Sequence, residues 1–217
     1  RSTLFPYTTL FRSSTDSVIT RIFAKDPTVW TFDTQAYPEI RNRLGWLDIH
    51  KTIEKNAPEY REILESLRKD GITKALLIGM GGSSLAPEVL ALTFAGADGL
   101  RLTIIDSTDP GQVLDADQAH PLSETVYIVS SKSGGTAEIR ALMDYFYAKA
   151  KAELGDDAGK HFIAITDPGT LLERTAAELR FRNIVISDPS IGGRFSVLSP
   201  FGILRSEEHT SELQSQY

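Results

Sequence analysis

Ala75-Leu76-Leu77-Ile78-Gly79-Met80-Gly81-Gly82-Ser83-Ser84 carries a short apolar run straight into a glycine-rich turn. A run this short, bounded by glycine, suits a buried β-strand better than a helix. Helical periodicity resumes at once, and a helix is expected over Leu85–Phe94. A strand, a glycine turn and a helix in that order form the start of a βαβ unit.

The same grammar repeats downstream. Leu102–Ile105, Val126–Val129, Phe162–Ile165 and Ile184–Ile186 are further strand candidates. Asp109-Pro110 reads as an N-cap followed by a first helical residue. Ile139, Leu142, Met143 and Phe146 share one helical stripe. With Gly135 as N-cap, Glu138 would stand at the third helical position. A further helix is expected over Leu171–Leu179, with Asp167-Pro168-Gly169-Thr170 as its start, and Ser199-Pro200 opens a last one. Strands this apolar are buried on both faces. The alternation predicts an α/β fold: a doubly wound, parallel five-stranded sheet between helical layers.

Upstream of Gly71 the pattern is helical. Ile40, Leu44 and Leu47 fit one face, Ile49 and Ile53 restart it, and Ile63, Leu64 and Leu67 fit another helix. Pro38 and Pro58 are expected at helix starts. Residues 14–70 are thus a helical lead-in and residues 71–204 the sheet domain. The two ends stand apart from both. LFPYTTLFRS (Leu4–Ser13) and RSEEHTSELQS (Arg205–Ser215) resemble in-frame translations of paired sequencing adapters. On that reading residues 1–13 and 205–217 are adapter-derived, and fold reasoning applies to Ser14–Leu204 alone.

The chain has 217 residues, a formal charge of −6 and no cysteine. Disulfide and thiolate chemistry are excluded. A mildly acidic chain without basic runs argues against nucleic acid and anionic membranes as partners. No apolar stretch approaches the ~18 residues that span a bilayer. His50, His120, His161 and His209 show no metal-ligand spacing. No metal is expected, and the cytoplasm is the expected compartment.

Three loops carry candidate chemistry, each expected at the carboxyl edge of the sheet, where such folds bind ligands. The first is Gly79–Ser84, whose glycines admit a ligand close to the backbone and whose helix start favours an anion. It also fits half a dinucleotide fingerprint, Gly79-x-Gly81, with Asp106 after the second strand. Ser84 stands where the third glycine belongs, which disfavours that reading. The second is Ser130-Ser131-Lys132-Ser133-Gly134-Gly135-Thr136. Hydroxyls, one lysine and two glycines ahead of a helix are the inventory for a phosphate monoester. The third is Ile191-Gly192-Gly193-Arg194-Phe195-Ser196, which presents one guanidinium suited to developing negative charge on oxygen.

Taken in order, GMGGSSLAPEVL (Gly79–Leu90), SSKSGGTAE (Ser130–Glu138), AITDPGT (Ala164–Thr170) and GGRFSVLSPFG (Gly192–Gly202) resemble the glucose-6-phosphate isomerase family. KDPTVW (Lys25–Trp30) and NRLGWLDI (Asn42–Ile49) make the resemblance closest to bifunctional transaldolase/glucose-6-phosphate isomerase proteins. The resemblance implies the first of two sugar isomerase (SIS) domains, with a transaldolase barrel ahead of Ser14. It implies that Gly82 and Ser83 meet the sugar phosphate region. Ser131, Lys132, Ser133 and Thr136 would hold the phosphate. Gly193 and Arg194 would lie beside the reacting carbons, Arg194 stabilising an enediolate. Gly135 stands where the family often has a second threonine. The family's glutamate base, ring-opening histidine and late lysine would lie beyond Leu204, so the chain alone is expected to be inactive. The expected partners are glucose 6-phosphate and fructose 6-phosphate, with no cofactor, in a parent that is a homo-oligomer. A sugar-phosphate-sensing SIS module of a regulator and a nicotinamide enzyme are the alternatives.

Overall fold

A computed structural model describes residues 17–93 and 100–203. The expected helix end at Phe94, the residues up to Asp16, and Leu204 with the adapter-like end lie outside the described residues. The lead-in holds α1 (Val18–Phe23), α2 (Tyr37–Arg41) and α3 (Ile49–Lys69). The sheet domain runs β1 (Lys74–Gly79), α4 (Leu85–Thr93), β2 (Arg101–Ile105), α5 (Pro110–Ala119), β3 (Thr125–Ser130), α6 (Ala137–Leu154), β4 (Phe162–Thr166), α7 (Leu171–Glu178), β5 (Asn183–Ile186) and α8 (Pro200–Ile203).

The sheet is parallel throughout, in the order β2-β1-β3-β4-β5. Side chains alternate across the pleat, so each inner strand feeds two cores. Leu76, Ile78, Tyr127, Val129, Phe162 and Ala164 face one layer, where α6 buries Ile139, Leu142, Met143 and Phe146. Ala75, Leu77, Val126, Ile128, Ile163 and Ile165 face the other, where α3 buries Tyr60, Ile63, Leu64 and Leu67. This is the α/β/α sandwich expected from strand–helix alternation.

Burial on both faces does not extend to β2. Arg101 and Thr103 are exposed, because β2 is an edge strand paired only to β1. Pro58 is a second departure. It lies inside α3, a single 21-residue helix, rather than at a helix start. A proline in a helix interior costs about 3 kcal/mol, but burying each large apolar side chain returns about 1.5–3 kcal/mol. The stripe Ala57, Tyr60, Ile63, Leu64, Leu67 continues across the proline, and Pro58 itself faces solvent. A third departure is the start of α6. Its N-cap is Thr136, not Gly135, which puts Glu138 at the second helical position. Gly134, at φ +67°, turns the chain against Thr170 and Leu172, and the helix begins one residue later.

Two other caps form as the side-chain chemistry dictates. Asp109 Oδ1 accepts the Gln112 N–H at 3.0 Å. Thr170 Oγ1 accepts the Glu173 N–H at 3.2 Å, and the Glu173 carboxylate accepts the Gly169 N–H in return.

Candidate functional site

The connection after β1 leads to one edge of the sheet and the connection after β3 leads to the other. Their loops diverge at this switch point and open a crevice between them. A cavity of about 410 Å³ lies there.

One wall is the turn Gly81–Ser83 ahead of α4, with Gly82 and Ser83 lining the cavity. Gly81 holds φ +56°, a conformation that glycine takes without penalty. The buried Ser84 ties the turn down, its Oγ donating to the Gly81 carbonyl at 3.0 Å.

The opposite wall is the β3–α6 loop, which contributes Ser131, Lys132, Ser133 and Thr136. Ser131 is 3 % exposed. Its N–H donates to the Ile165 carbonyl at 3.0 Å, and its carbonyl accepts from Thr166 Oγ1 at 2.7 Å. Its Oγ accepts the Gly134 N–H at 3.1 Å, which leaves the hydroxyl proton for another acceptor. Thr136 makes no capping bond with its own hydroxyl. The unpaired N–H groups and positive end of α6 lie beside these hydroxyls, an arrangement that binds anions.

The third wall is the turn Gly193–Leu198, of which Gly193 and Ser196 line the cavity. Ser196 Oγ donates to the Gly193 carbonyl at 2.6 Å. Met80, Ile139 and Phe201 supply apolar lining. Arg194 is not among the lining residues. It is exposed, with its guanidinium 5.9 Å from the centre of the Phe195 ring.

Sequence reasoning takes Asp167 only as part of a helix start. In the structure Asp167 lines the cavity and accepts from Lys132 Nζ at 2.5 Å. Its signal in the sequence is an acid directly after a buried strand, at the edge where ligands bind. The lead-in reaches the site as well. Trp46 stacks on Phe195 with centroids 5.3 Å apart, and the Gly45 N–H donates to the Ser190 carbonyl at 3.1 Å. His120 and His161 each pair Nδ1 with a backbone carbonyl, of Ala116 and Thr125, away from the cavity lining. No helix among the described residues is long and apolar enough to cross a membrane.

A parallel α/β/α sheet with hydroxyl- and glycine-rich loops at its switch point defines a domain of the sugar isomerase (SIS) type. The chain belongs to the phosphoglucose isomerase family, whose sequence pattern matches residues 63–207. The glucose-6-phosphate isomerase of Thermus thermophilus is 34% identical over 166 residues, covering 74% of this chain and 38% of the relative. That of Citrifermentans bemidjiense is 39% identical over 137 residues, covering 61% of this chain and 25% of the relative. A crystal structure of a hypothetical protein from Thermus thermophilus superposes with a TM-score of 0.72 at 28% identity, over 94% of this chain and 46% of that one. The chain therefore spans less than half the length of these relatives.

Proposed function

We propose that this chain is the first SIS domain of a glucose-6-phosphate isomerase, which interconverts glucose 6-phosphate and fructose 6-phosphate. The observation that carries the reading is the convergence of Ser83, Ser131, Ser133 and Thr136 on one cavity at the N-terminus of α6. In the same reading residues 14–70 are the lead-in and residues 71–204 the sheet domain.

The phosphate sits against the Ser131, Ser133 and Thr136 hydroxyls and the first N–H groups of α6. Ser131 and the α6 N–H groups are held in place before the ligand arrives, so little ordering of these donors is needed on binding. Gly82 and Ser83 close the opposite wall, where a side chain at Gly82 would collide with the Gly193 carbonyl.

Isomerisation moves one proton from C2 to C1 and one from O2 to O1. The C2 proton of the open-chain aldose leaves, the charge spreads over O1 and O2 as an enediolate, and a proton returns to C1. The C1 aldehyde becomes an alcohol and the C2 alcohol a ketone, with no net oxidation. Arg194, turned in from the Phe195 ring, supplies the cation that stabilises the enediolate oxygens. A general base must come within hydrogen-bond reach of the C2 proton. Among the described residues the only carboxylate lining the cavity is Asp167, and Lys132 occupies it. The chain alone is therefore read as binding substrate without turning it over.

The test is thermal melting of the chain titrated with fructose 6-phosphate, with NAD as a control. Ligand at ~100 times its dissociation constant adds about 2.7 kcal/mol of stability. A melting shift with the sugar phosphate that vanishes in Ser131→Ala supports the reading. A shift with NAD alone, or measurable turnover by the chain, contradicts it.

A further inference from the structure

We propose that Asp167 is a specificity-determining residue of this cavity: it holds Lys132 in a neutral pair, so that anions are bound by hydroxyl and N–H donors rather than by a free ammonium. The proposal rests on the cavity being a phosphate site.

Lys132 is anchored at both ends. Its carbonyl accepts the Asp167 N–H at 3.3 Å, and its ammonium donates to Asp167 Oδ2 at 2.5 Å and to the Pro189 carbonyl at 3.4 Å. The side chain thus bridges the segments that follow β3, β4 and β5. Both partners are largely withdrawn from solvent, their side chains 25% and 16% exposed. Among the described residues they are the only charged ones that line the cavity, so its lining carries no net side-chain charge. Asp167 Oδ1 is buried without a hydrogen-bond partner, so among the described residues Lys132 is the sole side-chain donor to this carboxylate.

This arrangement sets how the cavity weighs its ligands. An unpaired ammonium attracts any anion of the right charge, including inorganic phosphate. A neutral wall leaves discrimination to directed donors and to contacts with the rest of the ligand. A phosphate monoester carrying a sugar is then favoured over the bare ion, because Gly82, Ser83 and Gly193 line the remainder of the cavity. The pair also makes the lysine's own contribution conditional. Removing Lys132 alone leaves a buried, uncompensated carboxylate facing the ligand's negative charge.

The experiment measures binding of inorganic phosphate and fructose 6-phosphate to the full chain by calorimetry, at low and high salt. Asp167→Asn, which keeps shape and an acceptor oxygen, is expected to bind inorganic phosphate roughly five- to tenfold tighter, with a steeper salt dependence and less preference for the sugar phosphate. Lys132→Met is expected to bind both ligands at least about tenfold more weakly. The double variant K132M/D167N is expected to recover most of that loss, a rescue that a purely structural strut would not produce. The proposal is overturned if D167N weakens phosphate binding, or if the double variant binds no better than K132M. Wild-type chain that binds neither ligand would instead remove the phosphate-site reading beneath it.

Discussion

Gly82 and Gly193 face one another backbone to backbone: a Cβ on Gly82 would stand 2.8 Å from the Gly193 carbonyl oxygen. That oxygen also accepts from Ser196 Oγ, so it cannot withdraw without breaking the turn that holds the third wall. Gly82→Ala is therefore expected to push the two walls apart. Overpacking of this kind costs about 1–3 kcal/mol. The checks are a denaturant melt and sugar-phosphate affinity, both expected to fall. Unchanged affinity would mean that the two walls are not coupled.

Gly134 and Gly135 are neighbours with opposite tolerances. Gly134 holds φ +67°, and a Cβ there would meet Thr170 Cβ at 2.7 Å and the Leu172 nitrogen at 2.9 Å. Gly135 has open space around the same position. Gly134→Ala combines a left-handed conformation with overlap and is expected to cost about 2–4 kcal/mol. Gly135→Ala is expected to change stability by less than about 0.5 kcal/mol. Comparison of the two melting curves decides the point.

Trp46 connects the lead-in to the Arg194 turn through its stack on Phe195. Aromatic pairs contribute about 0.5–1.5 kcal/mol beyond their buried area. Trp46→Ala is expected to lower stability by about 1–2 kcal/mol and to loosen Gly193–Leu198. On the proposed isomerase reading, kcat of an enzyme containing this domain is expected to fall more than KM rises, because the turn carries Arg194 rather than the proposed phosphate donors. Limited proteolysis of the turn and steady-state kinetics test the two halves of this expectation.

Acid should open the lead-in first. Asp26 is held down to about 2 by hydrogen bonds from the Thr28 hydroxyl, Arg21 and the Thr28 N–H. Asp48 is held down to about 2 by Lys51 and Lys25. A carboxylate whose folded value lies below its unfolded value stabilises the fold above the unfolded value, and that stability is lost as pH falls through the folded one. The window thus runs from 3.8 down to about 2. Hydrogen exchange followed across that window is expected to show residues 18–48 losing protection before the sheet does.

Alkali acts on the sheet core instead. Burial, with Asp117 and Glu153 nearby, pushes the Tyr127 hydroxyl up to about 12 from 10.0. For a neutral group kept from ionising, stability is full below the unfolded value and declines as pH rises from 10.0 towards about 12. Tyr127→Phe is expected to flatten that decline, and melting temperature against pH measures it.

The strands are legible in the sequence because each is a short apolar run bounded by glycine, serine or a proline turn. The run Phe162–Ile165 stops within one residue of the observed strand end at Thr166. The hydroxyl-rich loop is legible because Ser131, Lys132, Ser133 and Thr136 crowd one turn before a helix. Such signals are local, and local chemistry sets where an element begins and what it carries.

Other features depend on residues far apart in the chain. Strand order is one case, since five similar apolar strands carry no local mark of which neighbour each takes. The uninterrupted course of α3 through Pro58 is another, because the burial that outweighs the proline comes from the sheet face. The pairing of Lys132 with Asp167, 35 residues apart, and the apposition of Gly82 with Gly193 exist only once β1, β3, β4 and β5 lie side by side. Elements and donors are thus written in the chain itself. Their convergence on one cavity belongs to the folded parallel sheet, which brings its loops to a single edge.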